Sequence, residues 1–130
     1  MTWLVVLAVS VGAGLGAQLR HAAAQLHAAS RERRGLGVPE VGWSTLAVNA
    51  VGSGALGVLA GAYSTGALDA TWFAVAGAGL CGGLTTFSTL ALDVVALVRT
   101  DRWGRAAGYV GAHVVVGVGL FVLGYALAVA

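Results

Sequence analysis

Few side chains in this sequence could carry chemistry, and most of them fall in three short stretches. Thr45, Asn49 and Ser53 are spaced four apart, so on a helix they form one polar stripe. An asparagine in an apolar setting must be hydrogen-bonded. The stripe is therefore either a helix–helix contact or a polar track for a permeant species. Gly82-Gly83-Leu84-Thr85-Thr86-Phe87-Ser88-Thr89 sets adjacent glycines before a run of hydroxyls. This pattern predicts a weak point at Gly82–Gly83 in a helix, where freed backbone carbonyls and amides pack a kink or hold an ion. Tyr109 and His113 lie one turn apart, and His113 is the ionisable side chain deepest in any apolar run. A histidine there either bonds a neighbouring helix or marks a pathway.

Other chemistries find no support. Gly12-Ala13-Gly14-Leu15-Gly16 has neither the preceding strand nor the acidic partner of a nucleotide-binding turn, and reads as packing. His21 and His27 are not at metal-ligand spacing, and nothing completes a zinc site. Cys81 is alone, so no internal disulfide forms. No nucleophile–base pair is visible, so no enzyme is expected.

The elements that position these residues are membrane helices. Charged residues are only 9% of the chain, hydrophobic residues 58%, and mean hydropathy is +0.88. A soluble fold needs more polar surface than this. Residues 1–19, 41–68, 70–92 and 106–130 carry no Asp, Glu, Lys or Arg. Each run is about the roughly 20 residues that cross a bilayer as a helix. The pattern predicts spans at 2–22, Trp43–Tyr63 and Thr71–Val98, then a short basic loop holding Arg99, Asp101, Arg102 and Arg105, and a fourth span from there nearly to Ala130. A loop holding Ser30, Arg31, Glu32, Arg33, Arg34 and the one proline, Pro39, joins the first two. No basic residue precedes the first apolar run, so it is expected to stay as a span rather than act as a signal peptide. Pairs of glycines four apart, Gly12/Gly16, Gly57/Gly61 and Gly79/Gly83, predict tight helix packing within a subunit or between subunits.

All basic charge is arginine. Arg20, Arg31, Arg33 and Arg34 follow the first span, and Arg99, Arg102 and Arg105 follow the third. In a four-span chain these segments share one side. The positive-inside rule puts them in the cytoplasm and both termini outside. The arginines flank spans, so they are read as topology signals rather than a nucleic-acid surface.

With Gly14-Leu15-Gly16-Ala17-Gln18-Leu19-Arg20, Thr45-Leu46-Ala47-Val48-Asn49 and the Gly82–Thr89 motif in order, the chain resembles the Fluc family of fluoride channels, also called CrcB. The resemblance implies an all-α, four-span subunit of the inner (plasma) membrane. It implies a third helix broken near the midplane and an antiparallel dimer with two fluoride pores at its interface. It further implies a structural Na+ at the dimer centre, held by the carbonyls of Gly82 and Thr85. Asn49 and Phe87 match pore residues, Arg20 matches an arginine near the pore mouth, and Thr45, Ser88, Thr89 and Tyr109 match family polar positions. Two residues depart from the pattern. Leu90 stands where the family has a second phenylalanine, and His113 stands where a small hydroxyl residue is expected on the polar track.

The expected function is passive export of cytoplasmic fluoride. The seven-to-none arginine split favours one insertion direction, and so a heterodimer with an oppositely biased homologous subunit, surrounded by membrane lipid. Two other readings compete. One is a structural or partly degenerate subunit, suggested by Leu90 and His113. The other is a proton-coupled small multidrug exporter, which would need a carboxylate in the first span that this chain lacks.

Overall fold

The computed structural model describes residues 2–37 and 42–130. Pro39, expected in the first loop, lies outside the described residues. Among the described residues, four helices long and apolar enough to cross a membrane run over Trp3–Arg33, Trp43–Ser64, Ala70–Arg99 and Trp103–Val129. The chain is thus an all-helical, multi-pass membrane protein.

α1 (Trp3–Arg33) has 31 residues. At 1.5 Å per residue it is about 46 Å long, well beyond a hydrocarbon core of roughly 30 Å. It does not end near residue 22 as the hydropathy predicts. His21-Ala-Ala-Ala-Gln-Leu-His-Ala-Ala-Ser30 is polar enough to leave the bilayer but consists largely of good helix formers. The helix therefore continues through Arg33 before turning at Gly35, whose φ is +65°. α2 spans Trp43–Ser64 and α6 spans Trp103–Val129.

The third long helix is composite. α3 (Ala70–Phe73) is capped by Asp69, whose carboxylate accepts from the backbone N–H groups of Thr71 and Trp72. It passes into a π-helical winding over Ala74–Cys81, returns to α geometry in α4 (Gly82–Leu84), and resumes as α5 (Phe87–Arg99). Thr85 and Thr86 between them are extended, with φ/ψ of −79°/158° and −150°/123°. The departure from helix falls at these threonines rather than at Gly82–Gly83, which are helical.

Glycine decides how closely the helices approach, since lipid gives apolar side chains no drive to leave it. A methyl at Gly12 would sit 2.9 Å from the Val75 carbonyl oxygen, and one at Gly79 2.8 Å from that of Val9. A methyl at Gly83 would collide with the backbone of Ala13, and one at Gly16 with that of Leu80 and Leu84. These contacts pack α1 against the π segment and α4. Gly57 and Gly61 do the same for α2 against the backbone at Phe121 and Tyr125 of α6. The glycine pairs four apart thus pack helices within the subunit.

Large side chains point outward: Leu4, Leu7, Val11 and Leu15 on α1 and Val114, Val115, Val118 and Val122 on α6 are exposed. The four tryptophans are exposed and lie at or near helix starts, at positions 3, 43, 72 and 103, where amphipathic rings suit a membrane–water boundary. A small core forms where Leu97, Ala106 and Tyr109 bury together beneath α2, α5 and α6.

Candidate functional site

Two consecutive extended residues inside a long apolar helix strand backbone groups that must find partners. The partners come from two other helices. Asn49 of α2 grips Thr86 on both sides: its Nδ2 donates to the Thr86 carbonyl at 3.0 Å, and its Oδ1 accepts from the Thr86 N–H at 2.8 Å. Arg20 of α1 donates from Nη1 to the Thr85 carbonyl at 3.0 Å. The Thr85 N–H and hydroxyl both return to the Cys81 carbonyl, each at 3.0 Å. Thr86 then caps α5, its Oγ1 accepting from the Thr89 N–H at 3.3 Å. The same oxygen lies 3.2 Å from Ser88 Oγ and 3.1 Å from Thr89 Oγ1.

Arg20 therefore does not follow the first span. It lies inside α1, partly buried, with its head on the interruption. Its charge offsets the carbonyl dipoles there, which a loop arginine could not do.

Two cavities meet at this point. A polar one of about 220 Å³ is lined by Arg20, His21, Ser44, Thr45, Thr86 and Thr89. A larger, mainly apolar groove of about 730 Å³ is lined by Asn49, Ser53, Gly82, Thr85, Phe87, Leu90 and His113, among others. Thr86 lines both. Phe87 opens α5 and is 81% exposed, so its ring is free to meet whatever fills the groove.

Of the residues singled out from sequence, Asn49, Phe87, His113, Gly82 and Thr85 share the groove, while Arg20, Thr45 and Thr89 share the polar cavity. Ser88 lines neither and bonds Thr86. Tyr109 also lies apart. It is only 4% exposed, and its hydroxyl faces the Gly42 carbonyl and Asp93 Oδ2, each at 2.9 Å. Asp93 Oδ2 also accepts from the Gly42 N–H at 3.2 Å. This knot ties the start of α2 to α5 and α6. Sequence reasoning passed over two residues here. Thr86 carries a readable signal, a threonine three residues before another at a helix start. Asp93, near a span end, carries none.

The profile of the CrcB-like protein family, described as Camphor Resistance (CrcB), matches residues 7–125. The chain belongs to the CrcB family. The matched stretch takes in both cavities, the interruption and the whole of the second and third long helices. Among relatives, the fluoride-specific ion channel FluC 1 of Thermobifida fusca is 42% identical over 123 residues, covering 95% of this chain and 94% of that one. The fluoride-specific ion channel FluC of Marinobacter nauticus is 40% identical over 124 residues, covering 95% and 93%. That of Thermus thermophilus is 36% identical over 121 residues, covering 93% and 92%. These CrcB-family relatives are named as channels and not as enzymes, in line with the absence of a nucleophile–base arrangement from the sequence.

Proposed function

We propose that this chain is one subunit of a fluoride-selective channel of the cell's inner membrane, passing fluoride out of the cytoplasm down its gradient and so giving fluoride resistance. One observation carries the reading. At the meeting of a polar cavity and a deep groove, Asn49 and Arg20 hold an unwound backbone, and relatives over nearly the whole chain are fluoride channels.

The chemistry suits a small, strongly hydrated anion. A pore must replace its water with donors without holding it tightly. The hydroxyls of Thr45 and Thr89 and the Arg20 charge supply attraction at the polar cavity. Asn49 spends one amide hydrogen on Thr86 and keeps the other. The edge of the exposed Phe87 ring carries partial positive charge and can face the ion in the groove. Ser88 supports this set through Thr86, and Tyr109 through the position of α2 and α6.

The groove is the natural seat for a homologous subunit in an antiparallel dimer, with the interruption as the break near the midplane. Gly82 and Thr85 would hold a structural Na+ through their carbonyl oxygens. The donor set fits a hard cation: the Thr85 oxygen keeps a second lone pair after Arg20 has taken one. A bound cation there would supply positive charge at the centre and join the subunits. The arginine split supports cytoplasmic basic segments, outer termini and an oppositely oriented partner. A second reading, a partly degenerate subunit whose partner supplies the working pore, is favoured by Leu90 in the groove.

Liposomes loaded with fluoride and chloride, holding this chain with its homologous partner, are the test. Fluoride should leave while chloride stays. Equal loss of both ions, or retention of both, would refute the reading.

A further inference from the structure

His113 sits one turn after Tyr109 on α6 and lines the same groove as Asn49 and Phe87. Its Nδ1 lies 2.9 Å from the Tyr109 carbonyl oxygen. A carbonyl only accepts, so Nδ1 carries a hydrogen. That settles the neutral tautomer: Nε2 is a bare lone pair. The Tyr109 ring meets the imidazole edge-on, with centroids 4.5 Å apart and planes at 82°, and limits its rotation. Nε2 is enclosed and has no hydrogen-bond partner among the described residues. Native proteins rarely leave a buried polar atom unpaired without a reason.

Protonation changes Nε2 alone. The imidazolium keeps its Nδ1–H bond to the Tyr109 carbonyl, gains a second donor, and places a full positive charge in the groove wall. For an anion in the groove the two states are opposite. The neutral ring carries no charge, whereas the cation attracts. We infer that His113 is a proton-operated specificity residue of the ion path, admitting fluoride when it is protonated and throttling it when neutral. The inference rests on the fluoride-channel reading. The proton is taken from and returned to the bathing buffer, and none is consumed per ion.

Other groups near His113 must be separated from it. Asn49 and Ser53 on α2 do not titrate. Cys81 of the π segment shares the groove. Asp93 on α5 is tied to the Tyr109 hydroxyl and the Gly42 N–H. Its carboxyl is the other acidic group bonded to this part of α6, so the imidazole must be removed to tell the two apart. Arg20 and His21 belong to the polar cavity.

The test is fluoride efflux from liposomes between about pH 5.5 and 8.5, the range in which imidazole groups change charge. Wild type is compared with His113→Ser and His113→Asn, and leak from protein-free liposomes is subtracted. On the alkaline limb the wild-type rate should fall by a factor approaching about tenfold per pH unit, as a single-proton requirement demands. Both variants should give flat profiles. A flat wild-type profile, or a slope that survives in His113→Ser, overturns the inference while leaving the channel reading intact. Should the variants fail to assemble, nitrogen-15 NMR of histidine-labelled wild type decides. Binding linkage is reciprocal, so added fluoride should raise the imidazolium fraction of His113 at fixed pH. No change on adding fluoride overturns it. Absence of fluoride flux at every pH with the partner present refutes the channel reading instead, and the NMR titration then still decides the role of His113.

Discussion

Asn49 is where the architecture can be tested most sharply, because one side chain both donates to and accepts from the same unwound residue. Asn49→Ala removes both bonds and strands the Thr86 N–H and carbonyl. At roughly 1 kcal/mol per bond, plus the cost of leaving buried groups unpaired, the loss should be about 2–4 kcal/mol. Asn49→Asp behaves differently in its two protonation states. The neutral carboxyl can donate to the Thr86 carbonyl and accept from the Thr86 N–H, reproducing both bonds. The ionised form keeps only the second and sets a negative oxygen about where Nδ2 now lies, 3.0 Å from the Thr86 carbonyl oxygen. With half a charge on each oxygen and an effective dielectric near 20, that repulsion is about 1 kcal/mol, added to the lost bond. Here the native state favours the protonated form, so the variant's stability is greatest at acid pH and falls as pH rises. Thermal unfolding in detergent, followed by circular dichroism against wild type at the same pH, is the assay. At about pH 3.5, below the unfolded carboxyl's pKa, the aspartate variant should approach wild type, and at about pH 8 it should match or fall below Asn49→Ala. Equal losses at both pH values, or an Asn49→Ala variant as stable as wild type, would refute the two-sided clamp.

Other expectations follow from the packing. Gly83→Ala should disrupt the seating of α1 and lower the unfolding temperature, while Gly14→Ala, with open space around it, should be neutral or gain up to about 1 kcal/mol in helix propensity. Tyr109→Phe removes the hydroxyl shared by Gly42 and Asp93 and should cost about 1–3 kcal/mol; faster hydrogen exchange at the first turn of α2 is its signature, and unchanged exchange would count against the knot. With Cys81 replaced, single cysteines near Ala130 should label with an impermeant reagent from outside intact cells, and cysteines near Arg33 should not. Partial labelling at both places would mean dual insertion and would remove the argument for a distinct partner.

The four spans were legible because charge is so sparse that its placement alone marks their ends. The glycine pairs were legible as packing surfaces because four-residue spacing puts both on one helix face. Three features were not read. The run from His21 to Ser30 left the apolar pattern without leaving the helix, and hydropathy tracks the solvent rather than the backbone. The interruption was expected at Gly82–Gly83 because glycine is the weak helix former. Its true position at Thr85–Thr86 depends on Arg20 and Asn49, which reach the backbone across 65 and 37 residues of sequence. The glycines serve close approach instead. The π winding before Gly82 has no sequence signal that we recognise. As for the site, the stripe of Thr45, Asn49 and Ser53 was visible as polar, but its division between a cavity and a groove depends on tertiary geometry.

Backbone lying directly on backbone at Gly16, Gly57 and Gly83 reverses the usual map of mutational tolerance. In a water-soluble domain, deep scanning penalises truncation of large residues, because cavities open in a packed interior. Here the outward leucines and valines should exchange freely with one another, since lipid fills whatever shape they leave. The intolerant positions should be the smallest residues, and the intolerance should set in at a single added methyl. A saturation library scored for membrane yield would then show its harshest columns at glycine, and a substitution matrix trained on soluble proteins would rank these positions wrongly.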